Sequence, residues 1–362
     1  MTSLDTIRHT QQFALKHSKV SLRFGQLGLS QLTPALRQAS DDETHATWND
    51  GGLTARVRRF DAEPGSVAIK KARPECLVKN RDGELSFINE LLRRQELEQL
   101  RERDHAIAGL IPTLYASLEE QVVVSPWING SNVQSWNERQ LAQVFSTGIA
   151  LIAAGFFEWD FSPGNILDDG ANVWLFDFGY MYRFDPLRQF NSAGDGTEHP
   201  HFHLAERIES RNFFGHLLQR EHESGVAAVM PLCKLEKEIA LDAYQRLIAA
   251  LRKRGAIETV ISHYERICER WQTALKGDMS SLYLKEAWRS HDADLDDDIR
   301  GQTCTPMTLR KAEWMIERVR SDFSALVEAD ALHSDDKTRG REALLEALQL
   351  RLQSASVFQI HH

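Results

Sequence analysis

The chain has 362 residues, 42% of them hydrophobic and 26% charged, and 52 acidic against 43 basic side chains leave a formal charge of −9. These values are ordinary for folded soluble domains; they exclude a disordered, collagen-like or disulfide-stapled chain, and the length suits two or three lobes. The acidic balance argues against a general binder of nucleic acid or anionic membrane, because both need a positive field.

Cys76, Cys233, Cys268 and Cys304 are too dispersed for a zinc module and too few to staple a chain of this size. A reducing cytoplasm is the expected compartment, although a protein exported as an effector carries the same signature. The start of the chain is polar and mixed in charge, without the apolar run and cleavage site of a secretory signal. The longest apolar stretch, residues 149–157, falls far short of the ~18 that a membrane span needs. Neither nucleic acid nor membrane is an expected partner.

Residues 1–46 read as a mostly helical extension, broken near Gly25, Gly28 and Pro34. From Thr47 the hydrophobic pattern alternates. Residues 54–60 read as a strand, 61–66 as a turn, and Val67-Ala68-Ile69-Lys70 as a second strand. Residues 84–102 place Leu85, Ile88, Leu91, Leu92 and Leu97 near helical spacing on a charged background, the mark of an amphipathic helix. A β-branched run at 121–125, ended by Pro126, reads as a strand stopping at a connector. Residues 137–155 read as an increasingly apolar helix, and 160–183 as loop, strand, turn, strand, loop. Beyond about Ala205 the chain reads as helix, with polar breaks near Glu223, Gly277, 292–298 and 333–337.

The chemistry concentrates in one stretch. Asp160-Phe161-Ser162-Pro163-Gly164-Asn165 leads into Ile166-Leu167, and Asp168-Asp169-Gly170-Ala171-Asn172 supplies turn residues before Val173-Trp174-Leu175-Phe176-Asp177-Phe178-Gly179. If 166–167 pair antiparallel with 174–176, Asn165 and Asp177 share the open end of a hairpin, where strands ~5 Å apart let two oxygen ligands converge. Asp160, on the preceding loop, is aimed at the same place. Two carboxylates and a carboxamide suit Mg²⁺ bridging nucleotide phosphates.

This pattern resembles the protein-kinase-like superfamily: Asp-x4-Asn and then, after eleven intervening residues, Asp-Phe-Gly. Upstream, Val67-Ala68-Ile69-Lys70 resembles the family's strand with its phosphate-binding Lys, and the next helix offers Glu90 as its ion-pair partner. Alternation separates Lys70 from Lys71, and the Ala-x-Lys spelling selects Lys70. Glu84 is the rival to Glu90, but the two point to different faces of the helix.

The resemblance covers residues 47–179 and implies an α+β, bilobal protein-kinase-like fold. A small β-rich N-lobe (47–128) and a larger, mostly helical C-lobe (129–280) would lie between helical extensions at 1–46 and 281–362. It also implies phosphoryl transfer from ATP. Asp160 would orient or deprotonate the acceptor hydroxyl, Asn165 and Asp177 would hold Mg²⁺, and Lys70, braced by Glu90, would hold the α/β-phosphates. Gly51 and Gly52 stand where the family's loop covers the phosphates. Alignment on Gly130 puts the Pro126 carbonyl and the Ile128 amide at the adenine, with Ser125 behind it.

The departures bear on the acceptor. The glycine-rich loop keeps only its middle glycine as Gly52, with Asp50 and Ala55 replacing the flanking two, so nucleotide affinity is expected to be modest. Glu158-Trp159-Asp160 replaces His-Arg-Asp, which removes the Arg that clamps a phosphorylated loop. No Ala-Pro-Glu follows Gly179. Ser or Thr of a protein is the leading acceptor, while the Pro163-Gly164-Asn165 spelling keeps an aminoglycoside-, choline- or sugar-type kinase as the alternative. A pseudokinase scaffold, suggested by the degenerate glycine loop, and a nucleotidyl (AMP) transferase on the same fold stay open.

Other features read as structural. His199, His201 and His203 read as a polar loop rather than a metal site. Residues 292–298 begin like a calcium loop but lack its sixth-position Gly and twelfth-position Glu, and read as a solvated acidic linker. Trp127, Trp136, Trp159 and Trp174 read as core or cleft wall.

Overall fold

The computed structural model describes residues 3–18, 21–26, 48–49, 51–61, 65–103 and 107–360. Gly28, Pro34, Asp50 and the closing His361-His362 lie outside the described residues, as do residues 62–64 of the turn expected at 61–66. The architecture is mixed α+β, 57% helical and 12% strand, so helices carry most of the packing. Two compact units divide the chain: Met1–Asn132 with Gly164–Arg183, and Val133–Pro163 with Phe184–His361.

The first unit opens with α1 (Leu4–Lys16) and β1 (Arg23–Phe24). It continues through β2 (Ala55–Phe60), β3 (Val67–Ala72), α2 (Arg81–Glu102), β4 (Tyr115–Ser117), β5 (Val122–Pro126) and β6 (Ser131–Asn132). The second unit takes α3 (Glu138–Ala153) and β7 (Phe156–Glu158), after which the chain returns to the first for β8 (Ile166–Asp168), β9 (Val173–Leu175) and β10 (Met181–Arg183).

In the first unit an antiparallel sheet has the order β1-β4-β5-β3-β2. Its edge strand β1 lies within the segment expected as a helical extension and pairs Arg23 with Ser117. Pleating sorts the side chains. Val67, Ile69, Val122 and Val124 pack on one face with Trp48 and Tyr115, while Ala55, Ala116 and Val123 pack on the other with Phe87 and Leu91 of α2. Lys70 lies opposite Val123, so it emerges on the face that α2 covers.

A smaller sheet, β6-β8-β9, carries the hairpin. It is tied to the rest of this unit by a bridge between Leu110 and Leu175, with the Leu175 N–H donating to the Gly109 carbonyl at 2.7 Å. Gly130 runs so close to β8 that a Cβ there would lie 2.7 Å from the Asp168 carbonyl oxygen.

After β10 the second unit continues with α4 (Leu204–Ile208), a π-helical turn at Glu209–Phe213, α5 (Phe214–Ser224), α6 (Met230–Lys253) and α7 (Glu258–Lys276). It ends with α8 (Ser280–Gly301), α9 (Pro306–Glu328), α10 (Ser334–Lys337) and α11 (Arg341–Val357). Helix α3 starts at a capping box made by Asn137 and Gln140, and α9 at one made by Thr305 and Thr308 with Pro306 in its first turn. Helix α3 packs on α6, α6 on α7, and both α8 and α11 on α9. Among the described residues no helix is long and apolar enough to cross a membrane.

Residues 292–298 are not a solvated linker: they lie inside α8, and Asp292, Asp294 and Asp298 are buried. His291, Asp294, Leu295 and Asp298 form a buried stripe at helical spacing. The cations that make this tolerable come from elsewhere in the chain. Arg351 Nη1 lies 2.6 Å from Asp292, Lys311 and Arg211 both contact Asp294, and Arg211 lies 3.6 Å from Asp298.

A second buried charge cluster surrounds Lys237 on α6, whose ammonium meets Glu209, Glu286 and, at 3.1 Å, Glu236. Burial pushes the Glu236 carboxyl up to about 7, with Lys237 pulling against it and Glu286 adding to it. A carboxyl raised in the folded state stabilises below its unfolded pKa and loses that contribution as pH rises through the folded value. Glu236→Gln imitates the protonated group. Its urea-unfolding free energy, measured against wild type, should shift in the variant's favour between pH 5 and pH 8; a difference that stays constant with pH contradicts a proton held on Glu236.

Candidate functional site

The chemistry in the first unit centres on Lys70. Its Nζ lies 2.6 Å from Glu90 Oε2 and 2.7 Å from Asp177 Oδ2. Glu90 is 1% exposed, Lys70 12% and Asp177 26%, so the carboxylate furthest along the chain is the one that reaches solvent. Burial works to lower the Lys70 pKa, but Asp177 and Glu90 outweigh it and the net direction is up. Burial likewise works to raise Asp177; the Lys70 ammonium and the Gly179 N–H outweigh it and hold this carboxyl below its usual range. Lys70 is thus a fixed cation and Asp177 a fixed anion.

Arg94, which no motif of the sequence marks, completes the arrangement one turn along α2. Its Nε donates to Glu90 Oε1 at 2.8 Å, and its Nη1 to Thr113 Oγ1 at 3.3 Å and Ser125 Oγ at 3.4 Å. Its Nη2 donates to the Phe176 carbonyl, and its guanidinium lies 4.8 Å from the centre of the Phe178 ring. Glu90 is therefore clamped between two cations. The one sequence signal for Arg94 is its i,i+4 spacing from Glu90.

The Asp-Phe-Gly segment is pinned from the same helix. Asn89 Nδ2 donates to the carbonyls of Phe178 (3.3 Å), Gly179 (2.9 Å) and Met181 (2.8 Å). Gln12 of α1 donates in turn to Asn89 Oδ1 at 2.8 Å. Arg8 and His9 fasten α1 to Asp82 near the start of α2, at 2.8 and 2.7 Å.

The hairpin register is Ile166 with Leu175 and Leu167 with Trp174. Asn165, one residue before β8, and Asp177, two beyond β9, accordingly lie at the same open end. At the other end Asp169 accepts from Trp174 Nε1 at 2.7 Å and from the Asn172 N–H at 2.6 Å, which hold its carboxyl down at about 2. Turn and open end are locked by separate interactions.

Gly52 needs the absence of a side chain, since a Cβ would lie 2.3 Å from the Ala55 carbonyl oxygen. Its own carbonyl accepts from Arg73 Nε at 2.7 Å, and the Gly51 N–H donates to Asn49 Oδ1 at 3.0 Å. The glycine pair is thus tied to its own loop and to the end of β3. Pro126 ends β5 opposite Val67, Trp127 donates its N–H to the Ser66 carbonyl at 3.0 Å, and Ile128 follows in the connector. A cavity of about 680 Å³ elsewhere in this unit, lined by Lys16, Arg73, Cys76, Lys79 and Phe87, includes none of the predicted site residues.

Asp160 belongs to the second unit. Its Oδ1 accepts from the Ser162 N–H at 3.2 Å and from Arg211 Nε at 3.4 Å, and its own N–H donates to Glu158 Oε1 at 2.8 Å. Trp159 packs against Phe157 and Phe202 and donates to Ser192 Oγ at 2.8 Å. His203 caps α4 and is buried against the Tyr244 hydroxyl at 2.8 Å.

Among the described residues no group of three or more His, Cys, Asp or Glu is arranged to hold a metal ion. Asn165 and Asp177 supply one carboxamide and one carboxylate at the open end of the hairpin, the hard oxygen donors that a cation sharing its shell with water and phosphate would need. No family model and no curated protein matches the chain.

Asn89→Ala removes the hydrogen bonds to the Phe178, Gly179 and Met181 carbonyls and strands Gln12. At ~1–3 kcal/mol per buried group left unsatisfied, urea unfolding should show a loss of about 2–4 kcal/mol. A loss below about 0.5 kcal/mol would mean that this pin carries no weight.

Proposed function

We propose that the chain is an ATP·Mg²⁺-dependent phosphotransferase of the bilobal protein-kinase-like fold, with Ser or Thr of a protein as acceptor. The observation that carries this reading is the contact of Lys70 with Glu90 and Asp177. A buried ion pair adds little net stability, because desolvation offsets the Coulomb gain. Holding a lysine extended between two carboxylates from distant parts of the chain fits a demand for a fixed cation better than a demand for stability.

In this reading Lys70 meets the α/β-phosphate oxygens and Glu90 keeps its ammonium from turning away. Asp177 and Asn165 offer oxygen ligands at the end of the hairpin. Mg²⁺, when bound, neutralises phosphate charge. Asp160 takes the proton of the acceptor hydroxyl, the role the resemblance gives it. Pro126, Ile128 and the Gly51-Gly52 backbone keep the roles at adenine and phosphates that the resemblance implies.

The acceptor is favoured by what happens to residues 292–298. Those acids would line a pocket for a cationic small substrate, but Asp292, Asp294 and Asp298 are buried against Arg351, Lys311 and Arg211. This supports a protein acceptor over an aminoglycoside-type one. The 3₁₀ turn Pro163–Asn165, with its small-molecule-kinase spelling, keeps a small hydroxyl compound as the second reading.

The test uses the full chain with Mg²⁺ and ATP labelled at either the α or the γ position. Label should reach acceptors from the γ position only, and Asp177→Ala should lower its transfer by at least ~100-fold, the scale of losing one preorganised electrostatic group. Transfer from the α position would identify a nucleotidyl transferase. Absence of ATP binding by calorimetry would identify a binding module.

A further inference from the structure

We propose that Arg211 is a positioning residue for Asp160, and that the C-terminal helices α8 and α9 hold it in that role. The inference rests on the phosphotransferase reading, and it gives the C-terminal helices a part in that chemistry.

Two donors converge on one oxygen of Asp160: the Ser162 N–H at 3.2 Å and Arg211 Nε at 3.4 Å, both on Oδ1. Donors fixed on one oxygen set the rotation of the carboxyl group and so the direction in which it accepts a proton. Asp160 and Arg211 are 22% and 21% exposed, enough for an acceptor to reach the carboxylate and too little for the guanidinium to wander.

The other end of the guanidinium is held by α8. Arg211 Nη1 contacts Asp294 and lies 3.6 Å from Asp298. Those acids are held from α9: Lys311 contacts Asp294 and donates to the Ser210 carbonyl at 3.3 Å, and Thr308 Oγ1 donates to Asp298 Oδ2 at 2.5 Å. The rigid fork of an arginine presents Nε to Asp160 and Nη1 to α8 as separate, fixed donors, where a lysine ammonium offers a single point charge on a flexible stem. Arg211 also sits in the π-helical turn Glu209–Phe213. Such turns give up regular helical hydrogen bonding and recur where a side chain must be re-aimed for function.

The experiment follows release of γ-phosphate to water by the full chain with MgATP, expressed per ATP-binding site counted by calorimetry. Water adds to the γ-phosphorus, the bond to the ADP oxygen breaks, and the water proton passes to Asp160. Arg211→Gln should lower kcat by roughly 10- to 100-fold while KM for ATP stays within about 2-fold, the scale of a misplaced reacting group. Arg211→Lys should recover only part of the loss. Asp294→Asn, which does not touch Asp160, should lower kcat in the same direction by a smaller factor, and it carries the test if the Arg211 variants do not fold. Unchanged kcat per site in Arg211→Gln or Asp294→Asn, with fewer sites or a lower Tm, would show a purely structural role and overturn the inference alone. A wild-type chain that binds ATP but transfers γ-phosphate neither to water nor to a protein acceptor would overturn the phosphotransferase reading and the inference with it.

Discussion

The first unit depends on one buried ammonium. Lys70 comes from a central strand, Glu90 from the helix that covers it and Asp177 from the end of a hairpin, so three separately formed elements must agree on one point. Each carboxylate on its own would be costly to bury, and so would the lysine. Together they satisfy one another, and Arg94 supplies the second cation that Glu90 needs. Helix α2 is the hub of this arrangement. Its Asn89, Glu90 and Arg94 reach the Asp-Phe-Gly backbone, the lysine and Ser125 within little more than one helical turn.

Parts of this were legible in the sequence because they are local. Alternation along Val67-Ala68-Ile69-Lys70 puts Lys70 on the face opposite Ile69, which is where the sheet presents it to α2. The residues Asp168 to Asn172 are turn formers, and the register they impose, Ile166 with Leu175, brings Asn165 and Asp177 to one end. The rest depends on partners that no local pattern encodes. Asn89 acts on backbone carbonyls of the Asp-Phe-Gly segment and Arg94 on the carbonyl just before it, and carbonyls leave no trace in composition. The two residues of β1 become a strand only because Ser117 and Ala116 lie beside them. Residues 292–298 look solvated by charge alone, although Asp294, Leu295 and Asp298 already follow helical spacing; the missing information was the distant Lys311, Arg211 and Arg351.

Both ends of the chain gain a physical role. Helix α1 is fastened to α2 through Asp82 and, by way of Gln12 and Asn89, to the segment that carries Asp177. Helices α8 and α9 are fastened through Arg211 to Asp160. Some of the acid in the second unit is directed inward, against Lys237, Lys311, Arg211 and Arg351, where it organises helices.

The most direct test is a crystal structure of the full chain with Mg²⁺ and a non-hydrolysable ATP analogue. The account predicts phosphate oxygens within hydrogen-bond distance of Lys70 Nζ while its pair with Glu90 persists, and one metal ion ligated by Asp177 and Asn165. A nucleotide bound away from Lys70, or a metal ion that leaves both Asp177 and Asn165 uncoordinated, would contradict it.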